Sequence, residues 1–239
     1  MRLATCRTGK SVILYDAHSV WDADAAPQIG PGLFDPDAWR RKGLVVGEAP
    51  GRGASLFLDA GDAQWVLRPY RRGGMIARLS ERRYLWTGDS RTRAFRELRL
   101  TATLHERGLP VPRPVAAGVT RHGPTYEAAL LTVRIPGARA LAELLAAGEA
   151  DEALLHRVGA TIRRFHDAGL DHVDLNARNL LVDPVGRVWL IDLDRCRLRR
   201  PGRWHERNLA RLARSLAKLE ATAAMAPLRR GYDALVQPS

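Results

Sequence analysis

The pattern that most constrains the fold lies in the second half of the chain, where His172-x-Asp174-x4-Asn179 is followed thirteen residues later by Asp192. Two short apolar segments flank the turn sequence Asp-Pro-Val-Gly between Asn179 and Asp192, and this predicts a β-hairpin. Each part alone has an ordinary explanation, because such loop residues usually form turns or caps and an apolar strand often ends in an aspartate. The combination of these residues with a hairpin of this length is what indicates an active site.

The combination resembles the catalytic core of the protein-kinase-like superfamily, in which H-x-D-x4-N and a later aspartate flank a hairpin. The resemblance implies that Asp174 accepts or orients the proton of an acceptor hydroxyl. It also implies that Asn179 and Asp192 bind Mg²⁺, which prefers hard oxygen ligands. Asp194 stands where a glycine is common, and the resemblance to small-molecule kinases implies that it assists at the metal. ATP is the implied phosphate donor.

The resemblance assigns the nucleotide phosphates to the first half of the chain, where a glycine-rich turn lies between predicted strands. Segments 44–47 and 64–68 are predicted strands, and an apolar run, 54–58, lies between them. A phosphate-covering loop belongs at this turn, although most glycine-rich loops are simply turns. The residues predicted to contact ATP there are Gly47, Gly51, Arg52 and Gly53.

Arg68, at the end of the 64–68 strand, is the predicted phosphate contact of this half. Superfamily members carry a lysine here, but the chain has 35 arginines and three lysines, none of them between Lys42 and Lys218. Arginine keeps the charge and can bind carboxylate or phosphate through two nitrogens. The resemblance implies that Glu97, on the next predicted helix, is its acidic partner. A purely structural ion pair is the alternative.

The secondary-structure pattern divides the chain into three parts. Residues 1–43 contain several glycines and prolines and are predicted to be an irregular N-terminal extension. Residues 44–134 form a β-rich N-lobe that ends at Ile-Pro-Gly, and residues 135–239 form a short α-rich C-lobe. The predicted helices are 91–107, 140–147, 152–168 and 205–223. The predicted fold class is therefore α+β, a two-lobed protein-kinase-like fold.

Longer runs narrow the resemblance to one family. They are G-R-G (51–53), V-L-R-P-Y-R-R-G-G (66–74), G-L-P-V-P-R-P (108–114), D-L-N-A-R-N (174–179), L-I-D-L-D-R-C (190–196) and W-x3-N-L-x-R-L-x-R-S (204–215). These runs are collinear over about residues 40–220 and resemble the 3-deoxy-D-manno-octulosonic acid (Kdo) kinase family of Gram-negative bacteria. That family has an arginine in V-L-R, so Arg68 fits it. Leu193 stands where an aromatic residue is common.

The resemblance implies ATP-dependent phosphorylation of the 4-hydroxyl of Kdo on the lipid A precursor (Kdo-lipid IVA), a step of lipopolysaccharide core biosynthesis. The implied place is the cytoplasmic face of the inner membrane, with the enzyme bound peripherally. Only 47 residues follow Asp192, without an A-P-E motif, which leaves little room for a peptide-docking subdomain and argues against a protein acceptor. Two alternative functions stay open: a phosphotransferase of the aminoglycoside or choline kinase kind, and a non-catalytic basic module that binds nucleic acid or membrane.

The formal net charge of +12 is compatible with three kinds of partner: nucleic acid, an anionic membrane surface or a phosphorylated substrate. Charge alone does not distinguish between them. The motifs favour ATP and an anionic glycolipid at a membrane surface, with no nucleic acid and no protein partner expected.

Two basic surfaces are candidates for lipid contact. One, segments 71–78 and 82–86, has a surface loop as its alternative. The other is a stripe of the last predicted helix, with a solvated face as its alternative. The stripe comprises Arg207, Arg211, Arg214 and Lys218, opposite Leu209, Leu212, Leu216 and Leu219.

Cysteine content and hydropathy exclude other classes. Cys6 and Cys196 cannot build a disulfide framework or a cysteine-based zinc site, which favours a reducing compartment. The longest apolar runs, such as 128–133, are far shorter than the ~18–20 residues that span a bilayer. The N-terminus lacks the long apolar segment of a secretory signal. A composition of 46% hydrophobic and 27% charged residues is that of a globular protein.

Overall fold

The computed structural model describes residues 1–18, 29–49, 55–70 and 84–234. The chain divides into two compact units, one of Met1–Glu106 with Arg113–Arg134, and the other of Arg107–Pro112 with Ile135–Ser239. The short segment Arg107–Pro112 belongs to the second unit because Pro110 accepts a backbone hydrogen bond of 2.9 Å from Leu190.

The described part of the first unit forms an eight-stranded antiparallel sheet in the order β1-β2-β7-β8-β5-β4-β3, with β6 paired to β8. The strands are β1 (Leu3–Thr8), β2 (Ser11–Asp16), β3 (Val45–Glu48), β4 (Leu56–Asp59), β5 (Gln64–Pro69), β6 (Tyr84–Leu85), β7 (Pro114–His122) and β8 (Thr125–Val133). The described part of this unit also contains two α-helices, α1 (Pro36–Arg41) and α2 (Arg93–Glu106). The strands predicted at 44–47 and 64–68 and the helix predicted at 91–107 are confirmed, with shifts of one or two residues at their ends.

Apolar side chains cover both faces of this sheet. One core contains Trp39 of α1, and the other contains Phe95 of α2. Successive side chains of a strand point to opposite faces, so β2 contributes to both: Ile13 packs with Trp39, whereas Val12 and Leu14 pack with Phe95. The strand is therefore an interior element of the sheet.

The position of β2 shows that the prediction of irregular chain is wrong for residues 3–16, which form β1 and β2. Its hairpin with β1 turns at Gly9, whose φ of +57° is a conformation that glycine adopts without steric cost. Asp16 at the end of β2 is fully buried and accepts hydrogen bonds from the backbone N–H of Arg2 at 3.1 Å and from Arg113 Nη2 at 3.3 Å. Most of the glycines and prolines that suggested irregular chain follow this hairpin.

The second unit contains four helices and two small sheets among its described residues. The helices are α3 (Leu141–Ala146), α4 (Glu152–Asp167), α5 (Trp204–Ala217) and α6 (Met225–Asp233). The strands are β9 (Arg139–Ala140), β10 (Leu170–Asp171), β11 (Leu180–Val182), β12 (Val188–Leu190) and β13 (Arg197–Leu198), in the sheets β12-β11-β9 and β10-β13. In the described parts of the chain, no helix has the length and apolar character needed to cross a membrane.

The helix predicted at 152–168 is confirmed as α4, and its local sequence explains its limits. Asp151 caps the N-terminus, where its carboxylate accepts from the Leu154 backbone N–H at 2.7 Å. The helix ends before Gly169, whose φ is +84°. The predicted apolar stripe is buried throughout, at Leu154, Leu155, Val158, Ile162 and Phe165. The helix predicted at 205–223 is confirmed as α5, but it ends at Ala217, six residues earlier than predicted, and the separate helix α6, which begins at Met225, was not predicted.

Two glycines set the close approach of α4 and α6. A Cβ atom added to Gly159 of α4 would lie 1.9 Å from the Leu228 carbonyl oxygen, and one added to Gly231 of α6 would lie 2.0 Å from that of His156. Glycine inside a helix costs about 1 kcal/mol relative to alanine, so its presence needs a compensating reason. Here the reason is direct backbone contact between the two helices.

His166 is the centre of a buried polar cluster that joins α4, α5 and α6. Its Nδ1 lies 2.8 Å from the Tyr232 hydroxyl oxygen, and Asn208 Nδ2 lies 3.5 Å from its Nε2. Because an amide nitrogen can only donate, Nε2 accepts and Nδ1–H donates to the tyrosine oxygen. The ring also stacks on His205, with the ring centroids 4.7 Å apart. Burial, reinforced by the charge of His205, lowers the pKa of His166 to about 3.

We expect this cluster to make the second unit sensitive to acid. The folded pKa of about 3 lies below the ordinary value of 6.5, so the unfolded chain binds a proton first as the pH falls. The contribution of His166 to stability is complete above pH 6.5 and is lost below it, by up to about 1.4 kcal/mol per pH unit. Denaturant titrations should show a flatter decline of unfolding free energy below pH 6.5 in His166→Gln than in the wild type. Equal declines in the two proteins would contradict the assignment.

Candidate active site

The predicted catalytic loop, residues 172–179, connects β10 to β11 and is held by its own hydrogen bonds. His172 is buried, and its Nε2–H donates to the backbone carbonyl of Ile191 at 3.0 Å. Inside the loop, Asn176 Oδ1 accepts from two backbone N–H groups further along, at 2.9 and 3.2 Å. Turn formation of this kind gives the loop a defined backbone path.

Asp174 presents an exposed carboxylate from a fixed backbone. Its carbonyl oxygen accepts from Asn176 Nδ2 at 2.9 Å and from Asn179 Nδ2 at 3.0 Å. The two amide donors fix the peptide, while the side chain remains in solvent. A carboxylate in this setting can accept or orient the proton of a bound hydroxyl.

The hairpin of β11 and β12 brings Asn179 beside the residue that precedes Asp192. The backbone N–H of Ile191 donates to the Asn179 carbonyl at 3.0 Å. Asn179 is only 9% exposed, and Asp192 is partly buried. Asp192 has φ of +59°, in the left-handed region where a non-glycine residue carries strain, a feature found often at functional sites.

The oxygen atoms of Asn179 and Asp192 are suitable ligands for Mg²⁺. Because Asn179 Nδ2 donates to the Asp174 carbonyl, the amide oxygen is the end that can bind a cation. Within the described ranges, no group of three or more His, Cys, Asp or Glu side chains is arranged to hold a metal. Magnesium commonly completes its coordination with phosphate oxygens and water, so a site with few protein ligands is compatible with it. Asp194 is partly buried, and its predicted role at the metal stays a prediction.

Arg68 and Glu97 form an ion pair inside the first unit. Arg68 lies on β5, opposite Leu130 of β8, and Glu97 lies on the buried side of α2. Arg68 Nη2 donates to Glu97 Oε1, and the Tyr70 hydroxyl donates to Oε2. The Arg68 side chain is 28% exposed and that of Glu97 only 3%. Partial exposure is what a phosphate contact requires, although a structural ion pair would account for the same geometry.

We expect Arg68→Lys to separate these two roles. Lysine keeps the charge but loses the planar, two-nitrogen geometry, so a phosphate contact at this position predicts a KM for ATP raised about tenfold. Arg96→Lys, at an exposed position of α2, is the matched control and should leave the KM for ATP unchanged. A lowered melting temperature with an unchanged KM in Arg68→Lys would show that the pair is structural only.

The predicted phosphate-covering loop is only partly described. Gly47 lies within β3 rather than in the turn, next to a register shift in the pairing of β3 with β4. A Cβ atom here would lie 3.1 Å from the Phe57 ring, so packing alone gives a reason for this glycine. Its predicted contact with ATP stays a prediction. Gly51, Arg52 and Gly53 lie outside the described residues, as does most of the predicted basic segment, at residues 71–83.

A hydrogen bond that was not predicted from the sequence joins the catalytic loop to α5. The Ala177 backbone N–H donates to Ser215 Oγ at 3.1 Å. Ser215 is the last residue of the W-x3-N-L-x-R-L-x-R-S run and Ala177 lies in D-L-N-A-R-N, so both residues were noted in the sequence but their contact could not be predicted from it. Tyr70, which donates to Glu97, was missed in the same way within V-L-R-P-Y.

A β-rich unit, a helical unit and a loop–hairpin of this kind define a protein-kinase-like fold. A solved structure titled "WaaP in complex with acyl carrier protein" is similar, with a TM-score of 0.52 over 86% of this chain and 86% of that chain. The sequence identity is 20%, so this likeness bears on the fold alone. It confirms the predicted kinase-like class.

Sequence comparisons identify the family. The model described as "Lipopolysaccharide kinase (Kdo/WaaP) family" matches residues 36–232. A protein of Stenotrophomonas maltophilia named 3-deoxy-D-manno-octulosonic acid kinase is 47% identical, over 97% of this chain and 94% of that protein. Relatives with the same name are 46% identical in Xylella fastidiosa (90% and 86% covered) and 48% identical in Xanthomonas campestris pv. campestris (95% and 88% covered). The chain belongs to the lipopolysaccharide kinase (Kdo/WaaP) family, and it is a kinase.

Proposed function

We propose that this kinase transfers the γ-phosphoryl group of ATP to the 4-hydroxyl of a Kdo residue on the lipid A precursor Kdo-lipid IVA. The observation that carries the proposal is the hydrogen-bonded loop and hairpin. There, Asn179 contacts the Asp174 carbonyl through Nδ2 and the Ile191 N–H through its own carbonyl. One residue thereby links the predicted proton acceptor to the predicted metal ligand. The relatives named for Kdo, at 46–48% identity, support the acceptor.

The roles of the residues follow from their chemistry. The acceptor oxygen forms a bond to the γ-phosphorus, the bond from that phosphorus to the leaving oxygen of ADP breaks, and the hydroxyl proton passes to the Asp174 carboxylate. Asp174 also orients the hydroxyl for in-line attack, because positioning is a large part of catalysis in phosphoryl transfer. Arg68, held by Glu97, stabilises charge on the nucleotide phosphates. Gly47, Gly51, Arg52 and Gly53 keep their predicted contact with the same phosphates as part of this proposal.

Mg²⁺ fits the oxygen donors of Asn179 and Asp192, with Asp194 as a supporting carboxylate. When bound, the metal supplies positive charge beside the phosphates during transfer. The contribution of the chain is to hold these oxygens in place: Asn179 through its hydrogen bond to Asp174, and Asp192 through the backbone turn that follows β12.

The acceptor implies a peripheral location at the cytoplasmic face of the inner membrane, within lipopolysaccharide core biosynthesis. The net charge of +12 supports attraction to an anionic lipid surface. Sedimentation with anionic vesicles should therefore decrease as salt is added, because screening weakens the attraction of exposed charges. Equal sedimentation with neutral vesicles would contradict this location.

An acceptor comparison tests the proposed reaction. The purified chain is incubated with ATP, Mg²⁺ and one of four acceptors: Kdo-lipid IVA, lipid IVA without Kdo, Kdo-lipid IVA whose Kdo lacks the 4-hydroxyl, or a free amino-sugar. We expect phosphate transfer to the first acceptor only. Transfer to the amino-sugar in place of Kdo would favour a phosphotransferase of the aminoglycoside kind, and transfer to the 4-deoxy acceptor would place the phosphate on another hydroxyl.

A further inference from the structure

A basic pocket lies beside the catalytic loop, inside the second unit. It lies between residues 174–178 of the loop and the C-terminal half of α5 with the two residues that follow, and its volume is about 370 Å³. That volume is in the range of small-molecule binding sites. The charged side chains that line it are Asp174, Arg178, Arg211, Arg214 and Lys218.

The four cations of the basic pocket form no ion pair with an acidic residue in the described parts of the chain. Elsewhere in the second unit arginines pair with carboxylates, as Arg139 does with Glu149 at 2.6 Å and Arg199 with Asp171 at 3.0 Å. Four like charges around one cavity repel one another, and a bound anion would remove that repulsion.

The pocket is held in a fixed relation to Asp174. Ser215 of α5 accepts a hydrogen bond from the Ala177 backbone of the loop at 3.1 Å. Arg211 Nη1 donates to Asn208 Oδ1 at 3.1 Å, which anchors one pocket cation to the buried cluster of His166. An anionic group held by α5 would therefore place the rest of its molecule at a defined distance from the Asp174 carboxylate.

We propose that the basic pocket binds a carboxylate or phosphate group of the acceptor and so presents the acceptor hydroxyl to Asp174. This inference rests on the proposed function and names the residues that hold its acceptor. Kdo is a sugar acid, and arginine binds a carboxylate through two parallel hydrogen bonds. Asp174, the one acidic residue of the lining, repels the anion, so the anionic group lies on the α5 side and a hydroxyl faces Asp174.

The sequence left two interpretations of the basic stripe of α5, a solvated face or a lipid contact. The proposal gives part of this stripe a third role, acceptor binding. Arg211, Arg214 and Lys218 line the pocket, whereas Arg207 is exposed on the same helix and does not. Arg207 is therefore a matched control, with the same charge on the same helix. Attraction to a lipid surface would depend on Arg207 and Arg214 equally, whereas acceptor binding in the pocket would depend on Arg214 and not on Arg207.

Acceptor kinetics of Arg214→Ala, Arg178→Ala and Arg207→Ala form the first test. In neutral detergent micelles, we expect the first two variants to raise the KM for Kdo-lipid IVA about tenfold or more, with the KM for ATP unchanged. Arg207→Ala should keep the wild-type values. The proposal is overturned if all three variants behave alike in the micelles. It is also overturned if the defects appear only on vesicles of anionic phospholipid, since that result assigns the stripe to the membrane.

Equilibrium binding forms a second test that needs no turnover. Free Kdo, its carboxamide and inorganic phosphate are titrated into the wild type, Arg214→Ala and Arg207→Ala. We expect the acid and phosphate to bind the wild type and Arg207→Ala, and to bind Arg214→Ala about tenfold more weakly, with the carboxamide weak throughout. If the wild type phosphorylates no Kdo acceptor but phosphate binding still depends on Arg214, the proposed function fails and the anion site stands. Anion binding that is equal in all three proteins overturns the site.

Discussion

Replacing Asp174 by asparagine should lower kcat about a thousandfold while the protein stays folded. Asparagine has nearly the same shape but cannot accept the hydroxyl proton, and the loss of a positioned proton acceptor costs about 10²–10⁴ in rate. The loop should keep its structure, because the two hydrogen bonds at this position end on the backbone carbonyl of Asp174 and not on its carboxylate.

Melting temperature and ATP binding of the Asp174→Asn variant are the controls for folding, and both should equal those of the wild type. Glu143→Gln, another exposed carboxylate of the second unit, is the matched control for activity and should retain it. An Asp174→Asn variant that is folded and has near-normal kcat would remove Asp174 from the mechanism.

Replacing Gly159 or Gly231 by alanine should produce the largest loss of stability in the second unit. An added Cβ would lie 1.9 or 2.0 Å from a carbonyl oxygen of the facing helix, far inside contact distance. A flexible side chain could move aside, but here the obstacle is the backbone of α4 or α6, so the whole helix must shift. Overpacking of this kind costs about 3 kcal/mol or more of unfolding free energy.

Helix propensity alone predicts the opposite result, a gain of stability, so the sign of the measured change tests the backbone contact. In an open helix the same change would stabilise the protein by about 1 kcal/mol. Gly32→Ala is the control, because no atom lies within 4 Å of the added Cβ, and its stability should change by less than about 0.5 kcal/mol. Denaturant titration of the three variants measures the effect, and unchanged or increased stability in Gly159→Ala would contradict the backbone contact.

The sequence predicted well those elements whose signal is local. The apolar stripe of α4 has helical spacing, with Asp151 as its cap and Gly169 beyond its end, so its existence and limits could be stated. The hairpin that follows the catalytic loop has a clear turn sequence. Both predictions depended on residues close together along the chain, where periodicity and turn chemistry act directly.

Elements stabilised by distant partners could not be predicted. The β1–β2 hairpin became part of the sheet because β2 pairs with β7, about a hundred residues further along. Helix α6 is short and contains Gly231, which weakens its helical signal, and its glycine is explained only by its contact with α4. Tertiary contacts outweigh local propensity in both cases.

In the candidate site, too, local features could be predicted from the sequence and contacts between distant residues could not. The spacing from Asn179 to Asp192 predicted that a hairpin would bring these residues together, and the pairing of Asn179 with Ile191 agrees with that expectation. The hydrogen bond between Asn179 Nδ2 and the Asp174 carbonyl could not be predicted, nor could the bond from Ala177 to Ser215, because neither has a periodic signal. The basic stripe of α5 was visible in the sequence, but its position beside Asp174 depends on that second bond.

Mass spectrometry of the reaction product tests the central claim most directly. The purified chain is incubated with ATP, Mg²⁺ and Kdo-lipid IVA, and Asp174→Asn serves as the low-activity control. We predict a product heavier by one phosphate, with fragmentation placing that phosphate on the 4-hydroxyl of the Kdo residue, and formation of this product about a thousandfold slower by Asp174→Asn. Unchanged Kdo-lipid IVA in the presence of folded enzyme, ATP and Mg²⁺, or a phosphate found on another sugar, would contradict the account.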